Sequence, residues 1–193
     1  MKKIFLIIGI FYLNFSIGNS QNSDKYIIVL DVQPQLYTDK KFDSSATVMV
    51  QNINALVEKF NPDKVVYVKS TGKALGVSYK GLSIDTLPAP KLDSNLKIVS
   101  QNIFTKISGD AFEVAELNDF INNNNINEII IVGLLAEKCV YNTALGGKVR
   151  GYNIYIIPEA IIGKTLKRKE EAIKKMTEKG INILPIKEIL KVR

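Results

Sequence analysis

The sequence contains no histidine and no tryptophan, and it holds one cysteine among 193 residues. Without histidine, neither a Cys-His pair nor a Ser-His-Asp triad can form within one chain, so any general base must be another residue type. A single cysteine excludes an internal disulfide. It also leaves no second thiol to resolve a mixed disulfide, which ranks a redox or thiol-transfer role last. Large charge of one sign is missing too. The net charge is +7, from 26 basic and 19 acidic residues, and no aromatic platform or groove-reading motif accompanies it. We therefore expect no nucleic-acid partner.

What is present is ordinary for one globular domain: 46% hydrophobic and 23% charged residues. The first residues are different. Lys2 and Lys3 precede IFLIIGIFYLNFSIG, an apolar stretch that reads as a secretory signal. Gly18 and Ser20 occupy the −3 and −1 positions of a cut before Gln21, and no nearby cysteine follows to carry a lipid. The expectation is a signal peptide over residues 1–20 and one domain over 21–193, exported to the periplasm or secreted, with no membrane attachment after cleavage. Cleavage removes two lysines and no acid, so the charge falls from +7 to +5. An uncleaved anchor helix is the alternative, and Asn14 and Ser16 interrupt the apolar run that it would need. The basic cluster KTLKRKEEAIKK (164–175) interleaves Glu170 and Glu171, as a solvated helix face does.

Along the rest of the chain, short apolar runs alternate with amphipathic stretches. Strands are expected at 25–31, 63–70, 96–101, around 127–133, at 152–158 and at 181–184. Helices are expected at 44–60, 110–121 (with Asp110 and Glu113 at capping-box spacing), 139–151 and 167–180, the last ended by Gly180. Between them, residues 71–95 carry glycines and prolines without a clear period and read as a long binding or lid loop. Alternating helices and nearly all-apolar strands imply an α/β fold: a doubly wound, mainly parallel sheet with helices on both faces.

In such sheets ligands sit beyond the carboxyl ends of the strands, at a switch in strand order. Three polar residues fall there: Asp31 ends the first strand, Lys106 follows the strand near Ile98, and Cys139 follows the strand ending at Gly133. A thiol is a useful nucleophile as thiolate. A helix N-terminus and a nearby ammonium lower its pKa, and a carboxylate within reach takes its proton. A catalytic Cys139 should then react with iodoacetamide below the pH at which a free thiol does. Buried inert packing is the competing account of a lone cysteine.

The order LDVQ, then K-x4-AF, then G-x5-CV-x2-TA resembles the isochorismatase-like cysteine hydrolase family. The matching positions are Asp31 with Gln33, Lys106 with Ala111 and Phe112, and Gly133 with Cys139, Val140, Thr143 and Ala144. The resemblance implies hydrolysis of a carbon–nitrogen bond in a small amide, carbamoyl compound or ureide by an Asp31-Lys106-Cys139 triad. It implies an oxyanion hole from the backbone N–H groups of Leu135 and Cys139, a non-proline cis peptide at Leu134-Leu135, and a homo-oligomer in which a neighbour closes the site. Gln33, Tyr37, Phe112 and Tyr79 are the candidate substrate contacts, with Leu82 beside them. No cofactor is expected and no metal: nicotinamidases of the family use an acid with histidines, and the corresponding stretch here offers Asp85 and Asp93. Two alternatives stay open: a noncatalytic binding protein retaining the fold, and a vinyl ether hydrolase of the isochorismatase type, against which the presence of Cys139 argues.

Overall fold

A computed structural model describes residues 25–37, 42–79 and 81–191. The expected signal peptide lies outside the described residues. Four strands rich in Val and Ile, one short strand and a two-residue terminal strand form the main sheet. They are β1 (Lys25–Leu30), β2 (Val65–Ser70), β5 (Ile103–Lys106), β6 (Glu128–Leu134), β7 (Asn153–Ile162) and β8 (Asn182–Ile183). Their spatial order is β5-β2-β1-β6-β7-β8, and every pair is parallel. A second sheet is the antiparallel hairpin of β3 (Lys73–Ser78) and β4 (Gly81–Thr86).

The period-two rule sorts the strand residues into two cores. Ile27 and Val29 of β1, Val65 and Tyr67 of β2, and Ile130 and Val132 of β6 face α1 (Asp43–Val57) and α5 (Ile186–Leu190). Ile28, Leu30, Val66, Val68, Ile129 and Ile131 face the other way, toward α2 (Ala115–Asn123), α3 (Tyr141–Val149) and α4 (Leu166–Glu178). Helices thus cover both faces. The fold is the doubly wound α/β architecture that the alternation implies, and the strand order reverses between β1 and β6. Among the described residues, no helix is long and apolar enough to cross a membrane.

Three expectations need correction. Residues 96–101 are not a strand; the strand is Ile103–Lys106, and Lys106 is its last residue rather than a residue beyond it. The 96–101 segment runs beside β2 on side-chain bonds. The Tyr67 hydroxyl donates to Lys97 O at 2.7 Å and accepts from Val99 N at 3.1 Å, and Ser100 Oγ donates to Val65 O at 2.6 Å. The stretch 71–95 is not irregular throughout, because it contains the β3–β4 hairpin. Third, Cys139 does not open α3. It lies in a wide π-helical turn, Ala136–Val140, that runs into the helix. The peptide between Leu134 and Leu135 is cis, as expected.

Gly133 decides how closely β1 and β6 approach. It pairs with Leu30 and holds a φ of 115°, and a Cβ there would overlap the Leu30 carbonyl. Gly133→Ala should therefore lose about 3 kcal/mol of stability, from a forbidden backbone region plus steric overlap. Gly151 has a φ of 88° with open space around its Cβ position, so Gly151→Ala should cost only about 1 kcal/mol. Urea unfolding compares the two, and equal losses would contradict the close approach.

Candidate active site

The strand register brings the candidate residues to one edge. Ser70 pairs with Lys106, Leu30 pairs with Val68, and Leu30 also pairs with Gly133. The C-terminal ends of β5, β2, β1 and β6 therefore finish side by side, at the switch point where a doubly wound sheet opens a crevice. Asp31 leaves β1 with a φ of 58°, a left-handed conformation that Asp tolerates better than most residues. Its N–H bonds Val68 O at 2.8 Å, which fixes the turn.

Asp31 and Lys106 form an ion pair of 2.9 Å, with side chains 1% and 0% exposed. Desolvating two charges is costly unless their remaining hydrogen-bonding capacity is met. Here it is met: Lys106 Nζ also donates to Ser70 Oγ at 2.7 Å and to Ser108 O at 3.2 Å. An ammonium can only donate, so the Ser70 hydroxyl turns its own proton to Asp31 Oδ1, at 2.7 Å. Ser70 thus bridges the pair.

Half-buried Cys139 comes close enough to the same two groups to feel both their charges. Its pKa direction corrects the expectation of an acidic thiol. Burial pushes the thiol up, the Asp31 charge pushes it further, and Lys106 opposes both. Burial and the Asp31 charge both favour the protonated thiol at rest. Thr143, fully buried on α3, accepts from Ala111 N at 3.0 Å and so ties the segment after Lys106 to the helix after Cys139. Leu135 precedes the π-helical turn, and its carbonyl accepts from Lys138 N and Val140 N.

The expected substrate contacts fare differently. Gln33 is 1% exposed and its amide is occupied: Nε2 donates to Ser70 O and Pro90 O, both at 3.0 Å, while Oε1 accepts from Ser70 N at 2.7 Å. It clamps the Ser70 backbone instead of facing a ligand. Phe112 is fully buried in the α2–α4 core, its ring 5.3 Å from Tyr152, and cannot meet substrate either. Tyr79 stands at the hairpin tip, 95% exposed, about 20 Å of strand from the hairpin root. Leu82 shares that hairpin. Tyr37 donates a hydrogen bond to Asp93, and burial pushes its phenol above the ordinary range, with Asp93 adding to the shift. It lines a cavity of about 660 Å³ beside α1 with Pro34, Val50, Asn54, Asp93 and Asn95, which does not contain the Asp31, Lys106 and Cys139 cluster. Sequence reasoning missed Ser70. Its position at a strand end next to a charged cluster was the available signal.

The model of the isochorismatase domain matches residues 25–188, and the chain belongs to that family. The secreted isochorismatase effector Isc1 of Verticillium dahliae is 23% identical over 147 residues, covering 75% of each chain. Among solved structures, a nicotinamidase/pyrazinamidase from Acinetobacter baumanii superposes with a TM-score of 0.68 at 19% identity, over 88% of this chain and all of that one. The YcaC gene product of Escherichia coli, described as an octameric hydrolase of unknown specificity, gives 0.66 at 17% identity over 88% and 78%. These likenesses extend the shared fold across nearly the whole described chain.

Two outcomes check this geometry. Iodoacetamide should alkylate Cys139 more slowly than a free thiol near pH 8, because the raised pKa keeps the thiolate fraction small. Asp31→Asn removes the carboxylate charge and leaves Lys106, so alkylation at neutral pH should become faster than in the parent protein. A slower rate in that variant would contradict the contact. Gln33→Ala strands the Ser70 peptide groups and should cost about 3 kcal/mol in urea unfolding. A change confined to ligand affinity would restore Gln33 as a substrate contact.

Proposed function

We propose that this isochorismatase-family protein is a cysteine-dependent hydrolase acting on a carbon–nitrogen bond of a small amide, carbamoyl compound or ureide. The observation that supports this most is a buried, fully partnered Asp31–Lys106 pair whose two charges both act on the Cys139 thiol. That arrangement supplies a base without histidine, and it is unneeded for packing, since apolar residues of similar volume would stabilise the core at least as well.

In the proposed reaction the Cys139 thiol gives its proton to Asp31 as the sulfur attacks the carbonyl carbon. The carbonyl π electrons move onto oxygen, and the backbone N–H groups of Leu135 and Cys139 receive the oxyanion. Collapse breaks the carbon–nitrogen bond. Asp31 returns the proton to the departing nitrogen, which leaves as ammonia or an amine, and a thioester remains on Cys139. Water then attacks the thioester while Asp31 accepts its proton, and the thiol is regenerated with a carboxylic or carbamic acid as product. Lys106 stays charged throughout and holds the carboxylate in line, offsetting the negative charge that forms on sulfur.

The same reading places the protein outside the cytoplasm after removal of residues 1–20, in keeping with the secreted relative Isc1. It also makes the protein a homo-oligomer, as YcaC of Escherichia coli is.

The test is a panel of small amides, carbamoyl compounds and ureides, followed by ammonia release and by intact-mass detection of an acyl adduct. Turnover should fall by at least about a thousandfold in Cys139→Ala and in Asp31→Asn, and the adduct should be absent from the former. Activity that survives Cys139→Ala would overturn the nucleophile. A panel without turnover or adduct would favour a binding protein that keeps the fold.

A further inference from the structure

The β3–β4 hairpin is amphipathic by register. Leu75 pairs with Ile84 and Val77 with Leu82, so four aliphatic side chains share one face. Ala74 pairs with Asp85 and Gly76 with Ser83 on the other. The polar face closes on itself: Ser83 Oγ donates to Asp85 at 3.1 Å, and a Cβ on Gly76 would run into the Ser83 side chain. The aliphatic face is open. Leu75, Val77, Leu82 and Ile84 are 64%, 76%, 73% and 70% exposed. A hairpin standing alone as its own sheet is marginal in water, and a contiguous bare aliphatic face marks a contact surface.

The root of the hairpin is firm. Thr71 N donates to Lys106 O at 2.8 Å, Leu87 N to Gly72 O at 2.9 Å and Thr71 Oγ1 to Leu87 O at 2.5 Å. Gln33 clamps Ser70 just before it and Pro90 just after. Every copy of the chain therefore presents the arm at the same angle, which a closed symmetric contact requires.

We propose that the aliphatic face of this hairpin packs on the same face of a second copy's hairpin across a twofold axis. This deepens the assembly proposed above and rests on it. The face is self-complementary. It is aliphatic, and its one charged neighbour, Lys73, sits at the root, so nothing on it selects an acidic or basic partner. Two such faces stack as sheets do, about 10 Å apart. Each aliphatic side chain brings roughly 60–120 Å² of apolar area, so eight of them give roughly 500–1,000 Å². With Thr86, Leu87 and the Lys73 stem closing around them, the contact approaches the roughly 1,200 Å² at which specific interfaces begin. Because the arm springs from Ser70 and the Gln33 clamp, the element that carries the contact is rooted next to the Asp31–Lys106 pair.

The purified protein should sediment at about 100 µM as a dimer or a larger even assembly, a concentration suited to a contact of this size. Val77→Asp with Leu82→Asp should halve that mass or reduce it to the monomer, with far-UV circular dichroism and melting temperature unchanged. In a Cys139→Ala background, Val77→Cys or Leu82→Cys should give a covalent dimer with a short bis-maleimide, and Ser83→Cys on the opposite face should not. A monomeric parent protein would overturn both the assembly and this contact. An assembled parent whose mass is unchanged by the two aspartates would overturn this contact alone. A monomer that binds neutral phospholipid vesicles through the hairpin would assign the face to a membrane instead.

Discussion

The Asp31–Lys106 ion pair is the constraint around which the rest of the molecule is arranged. Two charges almost without solvent exposure are tolerable only if each finds partners within the protein, and the residues that meet there come from three different segments. Ser70 ends β2, Lys106 ends β5, Ser108 follows it, and Asp31 leaves β1 in a left-handed turn. The parallel register aligns those strand ends, and Gly133 lets β6 come near enough to deliver Cys139 to the same place. A change at any one of these positions disturbs the partners of the others.

That arrangement also explains a thiol with no histidine beside it. In the proposed chemistry the carboxylate that takes the proton also adds to the effect of burial in raising the thiol pKa at rest. Lys106 limits the cost by facing both. In the proposed chemistry the proton moves only when the sulfur has a carbon to attack, which protects the thiol from oxidation by keeping little thiolate in the free protein. Ser70 fixes the direction of hydrogen bonding within the cluster, and Gln33 fixes Ser70.

Much of this was legible in the residues. The buried strands announced themselves as apolar runs because both faces of a parallel sheet are covered, and the helices by their period; Asp110, expected to open a helix over 110–121, instead caps a separate turn, Ala111–Glu113, ahead of α2. The position of Asp31 at a strand end followed from the same pattern, whereas Lys106, expected beyond a strand at 96–101, closes Ile103–Lys106 instead. The edge was harder. β5 is four residues long with mixed burial, so it carries no periodic signal, whereas 96–101 has strand composition but is held by the Tyr67 hydroxyl rather than by a ladder. The hairpin was hidden among glycines and prolines, although Leu75, Val77, Leu82 and Ile84 alternate as a strand pair should. Gln33 and Phe112 were misassigned because a motif position next to a reactive group reads the same whether its side chain faces the ligand or holds the backbone.

Because Cys139 is the only cysteine, its S–H stretch in the infrared is free of background, and it reports directly on where that proton sits. In the resting protein the band should persist through about pH 8, and in Asp31→Asn it should be lost at a lower pH than in the parent protein, because the raising carboxylate charge is gone and Lys106 remains. A band already absent at neutral pH in the parent protein, or one indifferent to Asp31→Asn, would show that the thiol does not share its proton with that carboxylate.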